Sequence, residues 1–522
     1  MARGFLGIAS AIALLSLLSK GFGFGREVVV AAVFGASAAK DAYTIAYTIP
    51  AFALVMLGGL TGPFHTATQK IITTLRQQGQ DDHVPGAIAT VLVGVTAVMG
   101  LLSLATYFAA PWAVTLVGGH PAPEVLRLAV LQLQIMSPLV LLGGLIGVFC
   151  GISNDRGDYT LPSLSPLVAS FAVIAVVLWS RDPLALAWGT MVGGVGQTLL
   201  QAPAAWKLLR AGPPIKLDFQ HPEVRAMAGL LLPAAISSTV GTLNVMIGMR
   251  FTSTLATGDI GVFDYANKLI QLPLGILMTA LLIPLFPLLT RAAVDNNRTE
   301  LFSWMNRGLA TIAFATLPLI AFFLVASEPF VMLIFQRSAF DAYATAKTAA
   351  VLALCAIGIF PYAARDLMIR VFFALNDSRT PLLVSLFSLA LTTFAMWMAI
   401  GPWGLNGLAA ATSIVTFVNC LLVAVLLRRK LGELPLGESL PQLGQATVAA
   451  LAGGTAAWLA VRLLPAPPVH PGGFDVFVTA LARVVLQGAV LTGVYVVALA
   501  LLGVPVLQLA RRLRRPRAVP GA

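Results

Sequence analysis

Nine charged side chains lie inside stretches that are otherwise apolar: Lys20, Arg26, Glu27, Arg250, Asp264, Lys268, Arg365, Asp366 and Arg370. A charge at the centre of a membrane helix costs about 2.5–3.5 kcal/mol on insertion scales, so it must face protein or a wet cavity. Three of them fall together in "SKGFGFGRE", Ser19 to Glu27. The alternating Gly21, Gly23 and Gly25 permit a bend or local unwinding, which membranes tolerate only beside such a cavity. Lys20, Arg26, Arg250 and Lys268 outnumber Glu27 and Asp264, so a cavity they line is expected to be cationic. It would attract an anion, and guanidinium forks suit phosphate oxygens. Asp41 and Asp264 sit near helix starts, where an acid is either a cap or a gating or coupling partner for the bases; the sequence leaves both open. Glu27 could pair with a neighbouring base, and Arg365 with Asp366, purely to fix packing.

The elements that must position these charges are long and apolar. Of the 522 residues 58% are hydrophobic and only 10% charged, with mean hydropathy +0.89. Soluble domains carry roughly 25% charged residues, so the composition predicts an all-α polytopic membrane protein. About 20 apolar residues span a bilayer, and 14 such stretches follow one another, from 5–34 and 41–65 to 442–464 and 476–507. The first is expected to be a retained helix, since no small-residue cleavage site follows it. With the N-terminus inside, inner joints hold about 20 basic residues and outer joints about five, Lys40 among the outer ones. That bias predicts two cytoplasmic termini. It also gives the net charge of +12 a topological reading and excludes nucleic acid, for which no soluble basic domain exists.

The chain repeats. "FGASAAKDAYTIAYTIP" ends at Pro50 and "LATGDIGVFDYANKLIQLP" at Pro273, 223 residues apart. The same offset lays Asp41 on Asp264 and "VFCGISNDRGDYTLP" from Val148 on "VFFALNDSRTP" from Val371. A period of six helices implies two lobes of like orientation, related by a pseudo-twofold along the membrane normal, as in some secondary transporters. The expected divisions are 1–215 and 216–432 for the lobes, 433–508 for two extra helices and 509–522 for a basic cytoplasmic tail. "GGLIG" from Gly143 offers close helix packing.

No catalytic, metal or cofactor constellation is present in this reading. Cys150, Cys355 and Cys420 are far apart in apolar stretches. "GFGFG" follows no strand, and there is no P-loop, so neither a dinucleotide nor directly used ATP is expected.

These motifs resemble the MurJ (MviN) family of lipid II flippases, within the multidrug/oligosaccharidyl-lipid/polysaccharide exporter superfamily. The likeness rests on "SKGFGFGREVVVAAVFGASAAKDAYTIAYTIP", "YANKLIQLPLGIL", "VFFALNDSRTP" and "IFQRSAFDA". It implies a bacterial cytoplasmic (inner) membrane protein that moves lipid II, the undecaprenyl-pyrophosphate-linked muropeptide, by alternating access through a central cationic cavity, without a cofactor. It further implies contact with membrane lipids and the cell-wall synthesis machinery. The family's pyrophosphate-holding bases fall on Lys20, Arg26 and Lys268, and its acid on Asp41; Arg250 is a further candidate. Ala51 and Leu54 stand where the family usually has asparagine and arginine, and "GGLTGPF" lacks its usual glutamate. A flippase for another polyprenyl-pyrophosphate-linked saccharide would suit the same cavity. A cation-coupled multidrug exporter would want net acid instead.

Overall fold

A computed structural model describes residues 2–56, 62–210, 217–222, 224–225, 242–433, 437, 439–463 and 474–504. All regular elements among them are helices. Helices satisfy their own backbone groups, which hydrocarbon cannot do. They are α1 (Ala2–Phe34), α2 (Ala38–Met56), α3 (Pro63–Gln77), α4 (Val84–Phe108), α5 (Ala110–Gly118), α6 (Pro123–Met136), α7 (Leu139–Asp155), α8 (Thr160–Ser180), α9 (Ala185–Arg210), α10 (described over 242–252), α11 (Asp259–Val294), α12 (Arg298–Phe335), α13 (Ala342–Ala356), α14 (Ile359–Ala374), α15 (Arg379–Leu431), α16 (Ser439–Val461) and α17 (Phe474–Leu501). Among the described residues, eight spans are long and apolar enough to cross a membrane, or nine counting the pair α13 and α14, bent by 41°. The basic tail and the segment "GLTG" lie partly or wholly outside the described residues.

Contacts divide the chain into two units. The first is Met1–Asp264 with Ser338–Phe340. There α1 packs on α8, α2 on α6, and α8 on α9. Val30, Phe34, Ile45, Val114, Leu133, Met136, Val173 and Leu186 form its main core. The second and third apolar stretches, 41–65 and 85–115, leave the residues between them to a connecting joint, but α3 is a helix. Its buried Phe64, Ala67, Thr68, Ile71, Ile72 and Leu75 recur at helical spacing, an amphipathic stripe that a search for long apolar runs passes over. It packs on α7 beside Gly151, where a Cβ would meet the His65 carbonyl at 2.8 Å. "GGLIG" does serve packing: a Cβ on Gly144 would lie 2.8 Å from Met99 of α4.

The second unit is Tyr265–Arg337 with Asp341–Ala522. α16 and α17 pack on each other and on α12 through small and apolar residues, including Ala321, Ala449, Ala457 and Leu491. Tyr495 donates its hydroxyl to the Phe314 carbonyl at 3.0 Å, satisfying its one polar atom. α15 is broken at Gly404, whose φ of 52° and ψ of −132° are not helical, so it comprises two helical segments.

Asp155 closes α7 on Arg76 at 2.7 Å, and Asp377, just after α14, accepts from Lys430 at 2.5 Å. The Lys430 ammonium and the Thr380 amide hold the Asp377 carboxyl well below the usual carboxylate range. A depressed pKa means this tie is complete at neutral pH and is lost only on strong acidification. Gly35 and Gly258, 223 apart, both have left-handed backbone, at φ 55° and 97°. Each is also closely approached. A Cβ on Gly35 would lie 2.2 Å from the Ala339 oxygen, and one on Gly258 would lie 2.5 Å from the Ala36 oxygen.

These two glycines are therefore required by the fold, whereas Gly21, Gly23 and Gly25 are not: a Cβ there meets nothing within 4 Å. Gly258→Ala is expected to cost at least about 1–2 kcal/mol for the left-handed conformation alone, while Gly25→Ala should be neutral or stabilise α1 by up to about 1 kcal/mol. Thermal unfolding of the two variants in detergent, side by side with the parent chain, checks this order.

Candidate functional site

The charges of α1 and α2 meet inside the first unit. Arg26 donates to Oε1 of Glu27 through Nε at 3.1 Å and a terminal nitrogen at 2.7 Å. The Arg26 side chain is 24% exposed and that of Glu27 is 7% exposed. The second Glu27 oxygen lies 3.9 Å from the ammonium of Lys40. That ammonium is 2.7 Å from Oδ2 of Asp264, in the second turn of α11. Positive and negative charges thus alternate along Arg26, Glu27, Lys40 and Asp264. The expectation that Glu27 pairs with a neighbouring base holds.

Lys40 corrects the sequence reading. Counted there as an exposed anchor in an outer joint, it is 1% exposed and among the largest fully buried side chains. An ammonium out of water must be paired and hydrogen-bonded, and two carboxylates do this. The stretch "SAAKDAY" carries no signal for it; Lys40 follows a turn at Gly35, as a surface lysine would.

Asp41 is buried in the first turn of α2. Its Oδ1 accepts the Gly261 amide at 2.7 Å and its Oδ2 accepts the Gly258 amide. Both amides lie at the start of α11, where unpaired N–H groups and the helix dipole favour a negative charge. Of the two roles left open for Asp41, capping is thus visible, directed at another helix. The neighbouring Tyr43 shares a hydrogen bond with Thr190 at 2.8 Å and stacks on Tyr47, with ring centroids 5.5 Å apart.

The remaining candidates are placed as follows. Lys20 is exposed on α1, which stays helical through Gly21, Gly23 and Gly25 without unwinding. Arg250 donates to the Leu116 carbonyl at 3.1 Å, in the last turn of α5, where a cation complements the helix dipole. Lys268 is half-buried on α11 in the second unit. Ala51 is half-buried in α2, and Leu54 lies in the same helix with its side chain outside the described residues. Asp366 pairs with Arg370, one turn on, at 3.3 Å. Its expected partner Arg365 instead lies over the Tyr362 ring at 5.1 Å. His65 approaches Asn154 at 2.7 Å. No metal-binding group of acids, cysteines or histidines occurs among the described residues.

Residues 30–467 match the family model described as "Lipid II flippase MurJ". The chain belongs to this family. It is 32% identical to a probable lipid II flippase MurJ of Synechocystis sp., over 96% of both chains. It is 30% identical to the lipid II flippase MurJ of Burkholderia cenocepacia, over 80% of this chain and 82% of that one. A solved MurJ structure in an inward closed conformation superposes with a TM-score of 0.74 at 19% identity, covering 93% of this chain and 98% of the other. An inward-facing multidrug resistance MATE family transporter gives 0.65 at 15% identity, over 79% and 94%. These two likenesses concern the fold. Membership in the MurJ family, with the apolar helices, makes the chain a multi-pass inner-membrane protein and places it among transporters.

Lys40→Met leaves Asp264 and Glu27 with less than their full complement of positive charge. Breaking a buried pair from one side costs about 3–5 kcal/mol, so this variant is expected to melt well below the parent. Lys40→Met with Asp264→Leu removes both charges and should recover much of the loss. Detergent melting curves of the single and double variants measure the coupling.

Proposed function

We propose that this chain moves lipid II from the inner to the outer leaflet of the bacterial cytoplasmic membrane for cell-wall synthesis. The supporting observation is Arg26. It is partly exposed, and its second terminal nitrogen makes no hydrogen bond among the described residues. A guanidinium so held presents a fixed donor to a diphosphate oxygen. Lys20 and Lys268 add positive charge, and Arg250 would join them on leaving the Leu116 carbonyl. The acids Glu27, Asp41 and Asp264 are each engaged by bases or amides, which disfavours capture of an organic cation.

In this reading 14 spans form two six-helix lobes, with two C-terminal helices beside which the lipid tail stays in the bilayer. Both termini are cytoplasmic. The headgroup enters a central cationic cavity from inside and is released outside by alternating access, with Gly21, Gly23 and Gly25 supplying the hinge of α1. A negative-inside potential drives an anion outward with about 2.3 kcal/mol per charge per 100 mV, so no nucleotide is needed. Asp41, Glu27 and Asp264 are the candidates for gating or ion coupling. The substitution pattern at Ala51 and Leu54 favours a second reading, in which the saccharide on the polyprenyl pyrophosphate is a different one.

Expression in a bacterium depleted of its own lipid II flippase tests this. Growth without lysis is expected for the parent chain. Arg26→Ala should abolish rescue, and Arg26→Lys should retain part of it. Full rescue by Arg26→Ala at parental expression would sink the role of Arg26. No rescue by the parent chain, present in the membrane, would favour the second reading.

A further inference from the structure

Arg365 lies inside a membrane span, and the acid beside it in sequence is engaged elsewhere. The span is the bent pair α13 and α14, broken at Ile357 and Gly358. Ser413 of α15 steadies the break by donating to the Leu354 carbonyl at 2.7 Å. Asp366 is taken by Arg370, one turn on. Among the described residues Arg365 makes no hydrogen bond or ion pair, and its buried Nε has no acceptor. Its guanidinium lies over the ring of Tyr362, which is 40% exposed. The Tyr362 hydroxyl likewise makes no hydrogen bond among the described residues. We propose that Arg365 and Tyr362 form a second anion site, which binds a peptide carboxylate of the substrate while the diphosphate is held elsewhere. The inference rests on the reading above that the substrate is lipid II.

Three features support the site. The first is depth. Helical side chains lean toward the N-terminus of their helix, and this guanidinium accordingly sits over a ring one turn back. Snorkelling to the nearer end of the span, at Ala374, would need the opposite direction. From Tyr362 to Ala374 is about 18 Å of helix at 1.5 Å per residue, so the charge is carried toward the middle of the span. A cation there cannot face hydrocarbon and needs an anion or a wet cavity. Broken helices are also where transporters build their midplane binding sites. The second feature is charge. Arg365 and Arg370 against Asp366 leave a net +1. That balance matches one carboxylate, whereas a diphosphate carries more than one negative charge. The third is the donor set. A carboxylate has two acceptor oxygens and can take the guanidinium and the phenol hydroxyl together. The peptide of a muropeptide supplies such groups.

The test titrates the full chain, in phosphatidylglycerol–phosphatidylethanolamine vesicles, with two probes: lipid II, and lipid II whose peptide carboxylates are amidated. The parent chain is expected to bind lipid II at least about tenfold more tightly than the amidated probe, the scale of one charge-assisted pair. In Arg365→Gln this gap should shrink below about twofold. Affinity for the amidated probe should stay within about twofold of the parent, which also shows that the variant is folded. Arg365→Lys should keep part of the gap, and Tyr362→Phe should narrow it by about threefold. A parental gap in Arg365→Gln overturns the site. So does equal loss of both probes in a variant that melts like the parent, since Arg365 would then serve the diphosphate. Should Arg365→Gln melt lower, Tyr362→Phe decides, and a parental gap there overturns the site. A parent chain that binds both probes without a gap overturns this inference and leaves the lipid II reading standing. A parent chain that binds neither overturns both.

Discussion

An ammonium group removed from water must be given negative charge, and the joint between α1, α2 and α11 is organised around this demand at Lys40. Two carboxylates from two different helices answer it, Glu27 of α1 and Asp264 of α11. Neither could be supplied from within α2, where the only nearby acid, Asp41, is committed to backbone amides. One buried cation therefore dictates that three helix segments converge. Their convergence in turn requires left-handed turns at Gly35 and Gly258, since the chain must reverse closely enough for side chains to meet.

The same demand explains why Arg26 stands where it does. Glu27 has two oxygens, and only one faces Lys40. The other accepts two hydrogen bonds from the guanidinium of the preceding residue. Arg26 is thus both a structural counterion and a partly exposed cation.

Away from the charges, cohesion comes from shape. Between helices in lipid the hydrophobic effect adds little, and association depends on close packing of small residues. Gly144 against Met99, Gly151 against α3, and the alanines of α12, α16 and α17 illustrate this. Tyr495 and Gln487 add side-chain bonds to the Phe314 and Val325 carbonyls, giving polar groups a partner where water is absent.

The sequence by itself determined the class of the molecule. Apolar runs of bilayer length reveal helices because the bilayer imposes one length on them all, and charges inside such runs are too costly to be incidental. The motifs around Lys20–Glu27, Tyr265–Leu277 and Val371–Pro381 carried the family. Amphipathic α3 was legible in principle, from the spacing of Phe64 to Leu75, though not to a reading based on hydrophobic length. What only the tertiary structure decided is which charge meets which. Lys40 and Asp264 are 224 residues apart, and nothing local distinguishes a lysine bound for a buried pair from one bound for solvent. The pairing of Asp366 with Arg370, by contrast, follows from local helical geometry, which sets residues four apart on one face, and was legible in principle. Electrostatic partnership is a property of three-dimensional distance and of exclusion from water, and a linear chain records neither.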